Sequence, residues 1–340
     1  MKQHCLEFSA PGRVAVRERP LPEPAVDEVL VQTRYSAISA GTEMLVYRGQ
    51  WPRGVTVDAT ITALAGDFAY PLSYGYCAVG RVMAKGAAVS QEWIGQRVFA
   101  FQPHQDFFCA EPASLHPIAE DVDDETALFL PSMETAVNLL LDGAPRIGEK
   151  VIVFGQGVIG LFTTALLARF PLAALFSVEA HQLRREASLR MGAGECFDPA
   201  NPALATRLGG KPGEGGEADL VYELSGNPAA LAAALSLARF SGRVVVGSWY
   251  GAKKADLDLG GFFHRGRVAL ISSQVSSISP ELTGRWSNRR RLDLAWQMLR
   301  RIWPAECITH RFALADAASA YALIDRNPGE TIQVVFDYGR

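Results

Sequence analysis

The sequence predicts an α/β protein of two domains, one rich in β-strands and one built around a doubly wound parallel sheet. The chain has 340 residues, more than a single hydrophobic core usually organises. Strand-like segments punctuated by glycine fill its first third. From Lys150 onward, short apolar segments alternate with segments of helical spacing. This alternation is typical of parallel sheets with right-handed helical crossovers.

Composition narrows the class of protein. Hydrophobic residues make up 49% and charged residues 20% of the chain, as in ordinary globular proteins. The formal net charge of -3 gives no electrostatic reason to expect nucleic acid or an anionic membrane as a partner. The one dense basic cluster, Arg289 to Arg291, is expected to be a solvated helix face, with anion binding as the alternative.

The sequence also indicates the cellular compartment of the protein and the role of its cysteines. No segment approaches the ~20 apolar residues of a membrane helix, and the N-terminus MKQHCLEFSAPG lacks the features of a secretory signal. The five cysteines form no C-x-x-C pair, so neither a disulfide framework nor a zinc knuckle is supported. We therefore expect a cytoplasmic protein.

The first domain is predicted from strands up to about Glu120. EVLVQTRYSAIS, CAVGRVMAKG and QRVFAF are rich in β-branched and aromatic residues. The pattern of apolar residues changes from strand-like to helical at DVDDETALFLPSMETAVNLLLDG, where Asp123 or Asp124 is placed to cap a helix.

The second domain is predicted from four strands and the helices between them. The strands are VIVFG, AALFSVE, ADLVYELSG and GRVVVGSW, and the helices are GLFTTALLARF, LRREASLRMGA and NPAALAAALSLAR. Past Leu270 we expect the helix RRRLDLAWQMLRRIW, the segment ITHRFALADAASAYALIDR and the terminal strand TIQVVFDYG.

A G-x-G-x-x-G motif follows the first of these strands and opens a helix. Its members are Gly155, Gln156, Gly157, Val158, Ile159 and Gly160. In this context the first glycine permits a tight turn, the second lets the backbone approach a pyrophosphate, and the third lets helix and strand pack closely. The helix N-terminus, from Val158 and Ile159 onward, offers free N–H groups to the phosphates. The motif predicts a dinucleotide site, with a merely structural turn as the alternative.

The next strand ends at Glu179, near the position where such sites carry an acidic residue. A carboxylate there accepts hydrogen bonds from the adenosine ribose and repels a 2′-phosphate, so we predict NAD rather than NADP. His181, Arg184 and Arg185 lie nearby in sequence and could soften that preference. NADP therefore stays possible.

Two further strand ends are expected at the same site. Ligands of doubly wound sheets bind outside the carboxyl ends of the strands, which places Ser225 with Gly226, and Gly247 with Ser248, near the cofactor. The alternative is that these are ordinary turn residues.

The order of these segments resembles the medium-chain dehydrogenase/reductase superfamily over nearly the whole chain. The segments that carry the resemblance are ISAGTE, YPLSYGYCAVGRV, IGQRVFAF, PSMETAVNLL, GQGVIG, YELSGNPAAL and ADAASAYALID with QVVFDY. It implies a β-rich GroES-like catalytic domain (residues 1–122 and 306–340) and a Rossmann coenzyme domain (residues 123–305). ISAGTE and the chain length are also similar to a narrower branch, the bacteriochlorophyllide a dehydrogenases, which oxidise a tetrapyrrole side chain with NAD.

Departures from the family pattern predict that no zinc is bound. Ser39 stands where zinc-dependent members have a cysteine, Tyr76 where they have a histidine, and the third ligand position falls near Pro131. Only Cys109 lies in the region of the four-cysteine structural lobe. Zinc needs three or four converging N, S or O ligands. The alternative is a site reassembled from Cys77, Glu43 and Glu134.

Without zinc, hydrogen-bond donors must stabilise the oxyanion that develops during hydride transfer. The resemblance places Ser39, Thr42 and Tyr76 on loops that face the cleft, with Glu43 to orient them or relay a proton. Tyr47 and Glu134 are more distant candidates. Each has a structural alternative: Tyr76 fills the vacated metal pocket, Ser39 is a small relic, and Glu43 caps a helix or pairs with an arginine.

The remaining reactive residues are expected to be structural. We interpret Cys77 as an inert buried thiol. His104 and His264 have no partner that the sequence identifies, so we expect a core or surface role for each.

The predicted function is a zinc-independent, NAD-dependent oxidoreductase acting on a secondary alcohol or ketone of a specialised metabolite. A quinone or enone reductase using NAD(P)H, and a non-catalytic NAD-binding module, are the alternatives. The resemblance also implies a homodimer that pairs the last strands of two coenzyme domains, with RVALISSQVS as the candidate segment.

Overall fold

The structure is a computed structural model that describes residues 2–58, 61–202, 204–209, 214–302 and 304–339. The chain forms two compact units, residues 1–131 with 303–340, and residues 132–302. We had expected the boundaries at 122/123 and 305/306. No helix in the described ranges is both long and apolar enough to cross a lipid bilayer.

The N-terminal part of the first unit consists of strands and two short helices. In chain order these are β1 (Lys2–Ala10), β2 (Arg13–Pro20), β3 (Val29–Ala37), α1 (Thr42–Tyr47), β4 (Ala78–Lys85), β5 (Arg97–Ala100), β6 (Phe107–Ala110), β7 (Leu115–Pro117) and α2 (Asp124–Ala127). Asp123 caps α2 by accepting a hydrogen bond from the backbone N–H of Thr126, as its position predicts.

The second unit alternates helices with parallel strands. In chain order its elements are α3 (Leu130–Gly143), β8 (Lys150–Phe154), α4 (Val158–Leu167), β9 (Ala174–Val178), α5 (Gln182–Arg190), β10 (Glu195–Phe197), α6 (Leu204–Arg207), β11 (Ala218–Glu223), α7 (Pro228–Leu237), β12 (Ala238–Val246), α8 (Phe262–Arg265), β13 (Ala269–Ser272) and α9 (Asn288–Ile302).

The chain then returns to the first unit and completes its larger sheet. The returning elements are β14 (Ile308–Phe312), α10 (Ala317–Arg326) and β15 (Gln333–Asp337). The sheet runs β14-β15-β3-β4-β5-β7, with β6 also paired to β3. Its pairs are antiparallel except β14 with β15. Phe8, Met44, Tyr321 and Phe336 are fully buried in a core that α1 and α10 share with this sheet.

The sheet of the second unit has the order β10-β9-β8-β11-β12-β13 and is parallel throughout. The strand order reverses between β8 and β11, which is the position where doubly wound sheets bind ligands. Residues 151–154 of β8 are all buried, because helices cover both faces of such sheets. The predicted doubly wound parallel sheet is confirmed.

The prediction for the basic cluster on α9 is wrong for one of its three arginines. Arg289 and Arg290 are exposed, but Arg291 is only 2% exposed. Its guanidinium donates to Glu134 Oε1 (3.1 and 3.0 Å) and to Asn138 Oδ1 (2.7 Å). Arg291 lies one helical turn before the buried Ala295, so the helical period puts it on the inner face.

Candidate active site

The G-x-G-x-x-G motif forms the turn between β8 and α4 in the second unit. Gly155 has φ 84°, a backbone conformation that favours glycine. A Cβ at Gly155 would lie 2.5 Å from the Cα of Ser225, and one at Gly160 would lie 1.9 Å from the carbonyl oxygen of Gly155. A Cβ at Gly157 would meet nothing within 4 Å. Two of the glycines are therefore required by packing, whereas Gly157 borders open space.

This turn fits a dinucleotide. Helix α4 begins at Val158, and Gly157 before it supplies no side-chain cap. The first backbone N–H groups of a helix have no partner within it, so those of Val158 and Ile159 are placed to bind phosphate oxygens. The open space beside Gly157 is where a pyrophosphate would approach the backbone.

Glu179 lies directly after β9 and is 7% exposed. Its Oε2 accepts a hydrogen bond from the backbone N–H of Gln156 (2.7 Å), and its Oε1 accepts one from that of His181 (2.9 Å). The carboxylate predicted to bind ribose therefore also braces the glycine turn. The two oxygens of a carboxylate can accept more than two hydrogen bonds, so Glu179 can still accept bonds from ribose hydroxyls.

The two basic residues near Glu179 differ in their surroundings. Burial lowers the pKa of Arg184, and the nearby Glu179 carboxylate opposes that shift. Arg185 donates to the carbonyl oxygen of Glu179 (3.0 Å) and pairs with Asp198 (3.1 Å). Arg185 is therefore held to the protein itself. Arg184 stays a predicted cofactor residue.

Hydrogen bonds join the two strand ends that the sequence placed at this site. Ser248 Oγ accepts from the backbone N–H of Gly226 (2.9 Å). The backbone N–H groups of Gly247 and Ser248 both donate to the carbonyl oxygen of Glu223 (3.1 and 3.3 Å). Sequence reasoning missed Glu223, which ends β11 and is fully buried. The available signal is a charged residue that directly follows the apolar run 220–222.

In the first unit, three of the predicted catalytic residues form a hydroxyl cluster. Ser39 Oγ accepts hydrogen bonds from Tyr76 OH (2.6 Å) and from the backbone N–H of Thr42 (3.3 Å). Ser39, Thr42 and Tyr76 are all partly exposed. Burial raises the pKa of Tyr76 to about 12, and the bond to Ser39 opposes that shift. The phenol is therefore protonated at neutral pH.

Glu43 lies behind this cluster and is fully buried. Its Oε1 accepts from the backbone N–H of Ser39 (2.8 Å), while Oε2 is 2.9 Å from His104 Nε2 and also accepts from Tyr321 OH. Its side-chain partner is thus a histidine rather than the arginine considered from the sequence. The carboxylate holds the backbone of Ser39 in place.

His104 lies in the core, which is one of the two roles expected for it, and the structure shows the partners that the sequence does not identify. This ring is fully buried between Glu43 and Ser36, whose Oγ is 2.7 Å from His104 Nδ1. Gly75 makes room for it, since a Cβ there would lie 2.8 Å from His104 Cδ2. The partners are 61 and 68 residues away in sequence, so no local pattern identifies them. His264 is exposed on α8.

The donors considered for a reassembled zinc site are engaged elsewhere. Cys77 Sγ donates to the carbonyl oxygen of Leu128 (2.8 Å), and burial raises the pKa of this thiol. Glu134 pairs with Arg291 (3.0 Å). Tyr47, which the sequence offers only as a more distant catalytic candidate, stacks on Tyr321 in the core. Among the residues that the structure describes, no three His, Cys, Asp or Glu side chains are grouped to hold a metal ion. These residues do not fit zinc.

Comparison with known proteins matches part of the chain to a family. Residues 158–288 match the family of zinc-binding dehydrogenases. D-guloside 3-dehydrogenase of Escherichia coli K12 is 23% identical over 80% of this chain and 81% of its own length. The starvation-sensing protein RspB of the same organism is 23% identical over 96% of this chain and 97% of its own length.

Solved structures share the whole fold. RspB of E. coli CFT073, complexed with NADH, superposes with a TM-score of 0.78 at 19% identity and covers 99% of both chains. A putative zinc-binding dehydrogenase of Sinorhizobium meliloti 1021, bound to NADP, gives the same three values. The predicted resemblance to the medium-chain dehydrogenase/reductase superfamily is confirmed. The predicted fold, GroES-like plus Rossmann, and the assignment of the chain as an oxidoreductase are also confirmed.

The name of the matched family does not decide the metal content of this protein. The match covers residues 158–288, whereas Ser39, Tyr76 and Pro131, which are predicted to stand at the ligand positions, lie outside that range. The roles of the individual site residues, and the narrower likeness to bacteriochlorophyllide a dehydrogenases, stay predictions.

Proposed function

We propose that this chain is a zinc-independent, NAD-dependent dehydrogenase that interconverts a secondary alcohol and a ketone of a specialised metabolite. The observation that carries the proposal is the bonding of Ser39. A hydroxyl has one donor and two acceptor sites, and Ser39 Oγ accepts from both Tyr76 OH and the Thr42 N–H. Its own hydrogen is therefore directed to a third group, for which we propose the substrate oxygen.

NAD, when bound, supplies the hydride acceptor, and its reduced form supplies the hydride donor. In ketone reduction, Ser39 donates its hydrogen bond to the carbonyl oxygen and delivers the proton as negative charge develops there. Tyr76 OH then passes its own proton to Ser39 Oγ, and solvent restores the phenol. In alcohol oxidation the same atoms carry the proton outward. Glu43 fixes the Ser39 backbone throughout.

The cofactor contacts are proposed for the second unit alone. The N–H groups of Val158 and Ile159 would bind the pyrophosphate beside Gly157, and Glu179 would accept from the adenosine ribose hydroxyls. A carboxylate at that position disfavours a 2′-phosphate, which supports NAD over NADP. Arg184 is the residue that could reduce the difference in affinity between NAD and NADP.

Zinc has no step in this proposal, because the residues at the family's ligand positions are unsuited to it. Serine and tyrosine hydroxyls are weak ligands beside the thiolate and imidazole that zinc prefers. The side chain of Pro131 has no donor atom. The hydroxyl cluster would supply the polarisation that a Lewis acid supplies in zinc-dependent enzymes.

Quinone or enone reduction is the second candidate, because one hydrogen-bond donor would polarise an enone carbonyl as readily as a ketone. The test combines metal content with turnover. Protein exposed to zinc and desalted is analysed for metal, then assayed at 340 nm with NAD and secondary alcohols, and with NADH and ketones, quinones or enones.

Alcohol or ketone turnover with metal content near zero per chain is the expected result. One tightly held zinc per chain would overturn the zinc-independent mechanism. Turnover of enones or quinones alone would favour the second candidate, and cofactor binding without turnover on any of these substrates would favour a non-catalytic NAD-binding module.

We also propose a cytoplasmic homodimer that pairs β13 with its copy. Strand β13 lies at one edge of the sheet and exposes Leu270 to 40%. An unpaired apolar edge strand is open to pairing with another chain. The molar mass in solution, measured by sedimentation equilibrium, tests this assembly.

A further inference from the structure

Glu223 carries a buried carboxylate at the point where the strand order of the second unit reverses. It is fully buried and ends β11 opposite Phe154, the last residue of β8. The residue after next, Ser225, lies against the first glycine of the dinucleotide turn, where a Cβ on Gly155 would be 2.5 Å from its Cα. The carboxylate therefore lies at the edge of the sheet where the cofactor is proposed to bind.

Hydrogen-bond donors, not a cation, surround this carboxylate. Oε1 accepts from the backbone N–H of Ser225 (2.8 Å) and from its hydroxyl, and Oε2 accepts from Tyr250 OH. In the described part of the chain, Glu223 takes part in no ion pair. Lys253 contributes an ammonium to these loops, but it is exposed and donates to the carbonyl oxygen of Gly226 (2.6 Å). Solvent screens a charge at that position.

A charge that is buried and lacks a counter-ion acts over several ångströms, because the surroundings screen it poorly. The two nicotinamide forms differ in charge at one place: the oxidised ring is cationic and the reduced ring is neutral. We propose that Glu223 is a charge-selecting residue of the cofactor site, whose carboxylate favours NAD⁺ over NADH by stabilising the cationic ring. This inference rests on the proposed cofactor site.

A purely structural role has a different signature. Glu223 also orders both loops, since its carbonyl oxygen accepts from Gly247 and Ser248 and its side chain binds Ser225 and Tyr250. Loss of that order would weaken the binding of NAD⁺ and NADH alike. Loss of the charge would weaken the binding of NAD⁺ alone.

The experiment compares Glu223→Gln with the wild-type chain. Dissociation constants for NADH are measured by fluorescence and those for NAD⁺ by competition. We expect the ratio Kd(NAD⁺)/Kd(NADH) to rise about three- to tenfold, as for charges several ångströms apart at an effective dielectric constant near 20, while Kd(NADH) changes less than about twofold. Equal changes in both constants, or an unchanged ratio, would overturn the proposal.

Glu217→Gln is the matched control, because it removes a carboxylate from the same unit that is 56% exposed and pairs with Lys150. Its ratio should stay at the wild-type value, and a comparable rise would show that net charge alone is responsible.

A second measurement needs no variant. The wild-type chain should bind NAD⁺ several-fold more tightly than benzamide adenine dinucleotide, whose neutral benzene ring replaces the pyridinium. Equal affinity for these two would overturn the charge proposal even if Glu223→Gln does not fold. Failure of the wild-type chain to bind either NAD⁺ or NADH would instead overturn the proposed cofactor site itself.

Discussion

The carboxylate of Glu43 and the imidazole of His104 are both fully buried and lie 2.9 Å apart. A neutral His104 protonated at Nε2 donates to Glu43 and accepts from Ser36 Oγ at Nδ1 (2.7 Å). Ser36 in turn lies 2.9 Å from Tyr338 OH. These side chains form a connected hydrogen-bond network that includes the Glu43 carboxylate. The same carboxylate also accepts from the backbone N–H of Ser39.

Replacing His104 by alanine should therefore destabilise the first unit. The change leaves the buried Glu43 carboxylate without one of its donors and opens a cavity, which together cost about 2–5 kcal/mol. Chemical denaturation of the two proteins measures the difference in the free energy of unfolding. His264→Ala is the control, since its ring is exposed and the expected change is within about 0.5 kcal/mol. Equal losses in the two variants would show that the Glu43–His104 contact is not stabilising.

Tyr76→Phe should lower turnover without unfolding the protein. The variant removes the hydroxyl that donates to Ser39 Oγ (2.6 Å) and with it the route by which Ser39 regains a proton. Loss of such a group typically reduces kcat about 10²-fold or more. Steady-state kinetics on the best substrate should show the loss in kcat rather than in the KM for NAD.

Tyr70→Phe provides the comparison for that variant. It removes a tyrosine hydroxyl in the same unit that donates to the carbonyl oxygen of Val46 instead of to Ser39. A similar fall in kcat for both variants would assign the effect to packing, and an unchanged kcat for Tyr76→Phe would leave Tyr76 as a filler of the vacated metal position.

Stability should fall when the pH rises above about 10. Burial raises the pKa of Tyr76 to about 12 and also raises the pKa of several other phenols, namely Tyr74, Tyr222, Tyr321 and Tyr338. The unfolded chain releases these protons near pH 10, whereas the folded chain retains them. The stabilisation is therefore complete below pH 10 and is lost as the pH rises toward 12 and beyond.

Two measurements check that pH dependence. The tyrosinate absorbance at 295 nm should appear near pH 10 in denatured protein and at higher pH in native protein. The free energy of unfolding should be flat with respect to these groups from pH 7 to about 9. Coincident native and denatured titrations would contradict the assigned burial.

The sequence predicts those parts of the molecule whose signal is local. The strand before Gly155 and the helix after the turn are predicted correctly, because an apolar run and a helical period lie next to a turn that needs glycine at positions 155 and 160. Strand β10 was not predicted, since three residues with one buried side chain carry little periodicity.

Contacts between distant residues were not predictable from the sequence. His104 contacts Glu43 and Ser36, which are 61 and 68 residues away in sequence. Glu223, at the end of β11, accepts a hydrogen bond from Tyr250, which lies 27 residues further along the chain. The period of α9 puts Arg291 with Ala295 on the inner face of the helix, although a run of charged residues is ordinarily a solvated face. Polar residues inside a core are set by tertiary partners, which sequence pattern does not encode.

Glu179→Gln should narrow the preference for NAD over NADP. The substitution keeps an oxygen that can accept from the backbone N–H of Gln156 or His181 but removes the negative charge that repels a 2′-phosphate. The ratio of kcat/KM values for NAD and NADP should fall about tenfold. Glu195→Gln, which removes a carboxylate of the same unit that is 51% exposed and pairs with Arg207, should change this ratio by less than about twofold. An unchanged ratio in Glu179→Gln would mean that Arg184 or shape decides the preference.

Gly157→Ala should separate cofactor binding from folding. The residue has φ −67°, which alanine adopts without strain, and a Cβ there meets no atom within 4 Å. The melting temperature should therefore stay within about 2 °C. The added methyl would occupy the space proposed for the pyrophosphate, so the Kd for NADH should rise at least about tenfold. Gly284→Ala adds a methyl to equally open space in the same unit and should leave both the melting temperature and the Kd for NADH unchanged.

Gly160→Ala, in contrast, should lower the melting temperature, because its Cβ would lie 1.9 Å from the Gly155 carbonyl oxygen. Wild-type affinity in Gly157→Ala would place the phosphates elsewhere on this sheet edge.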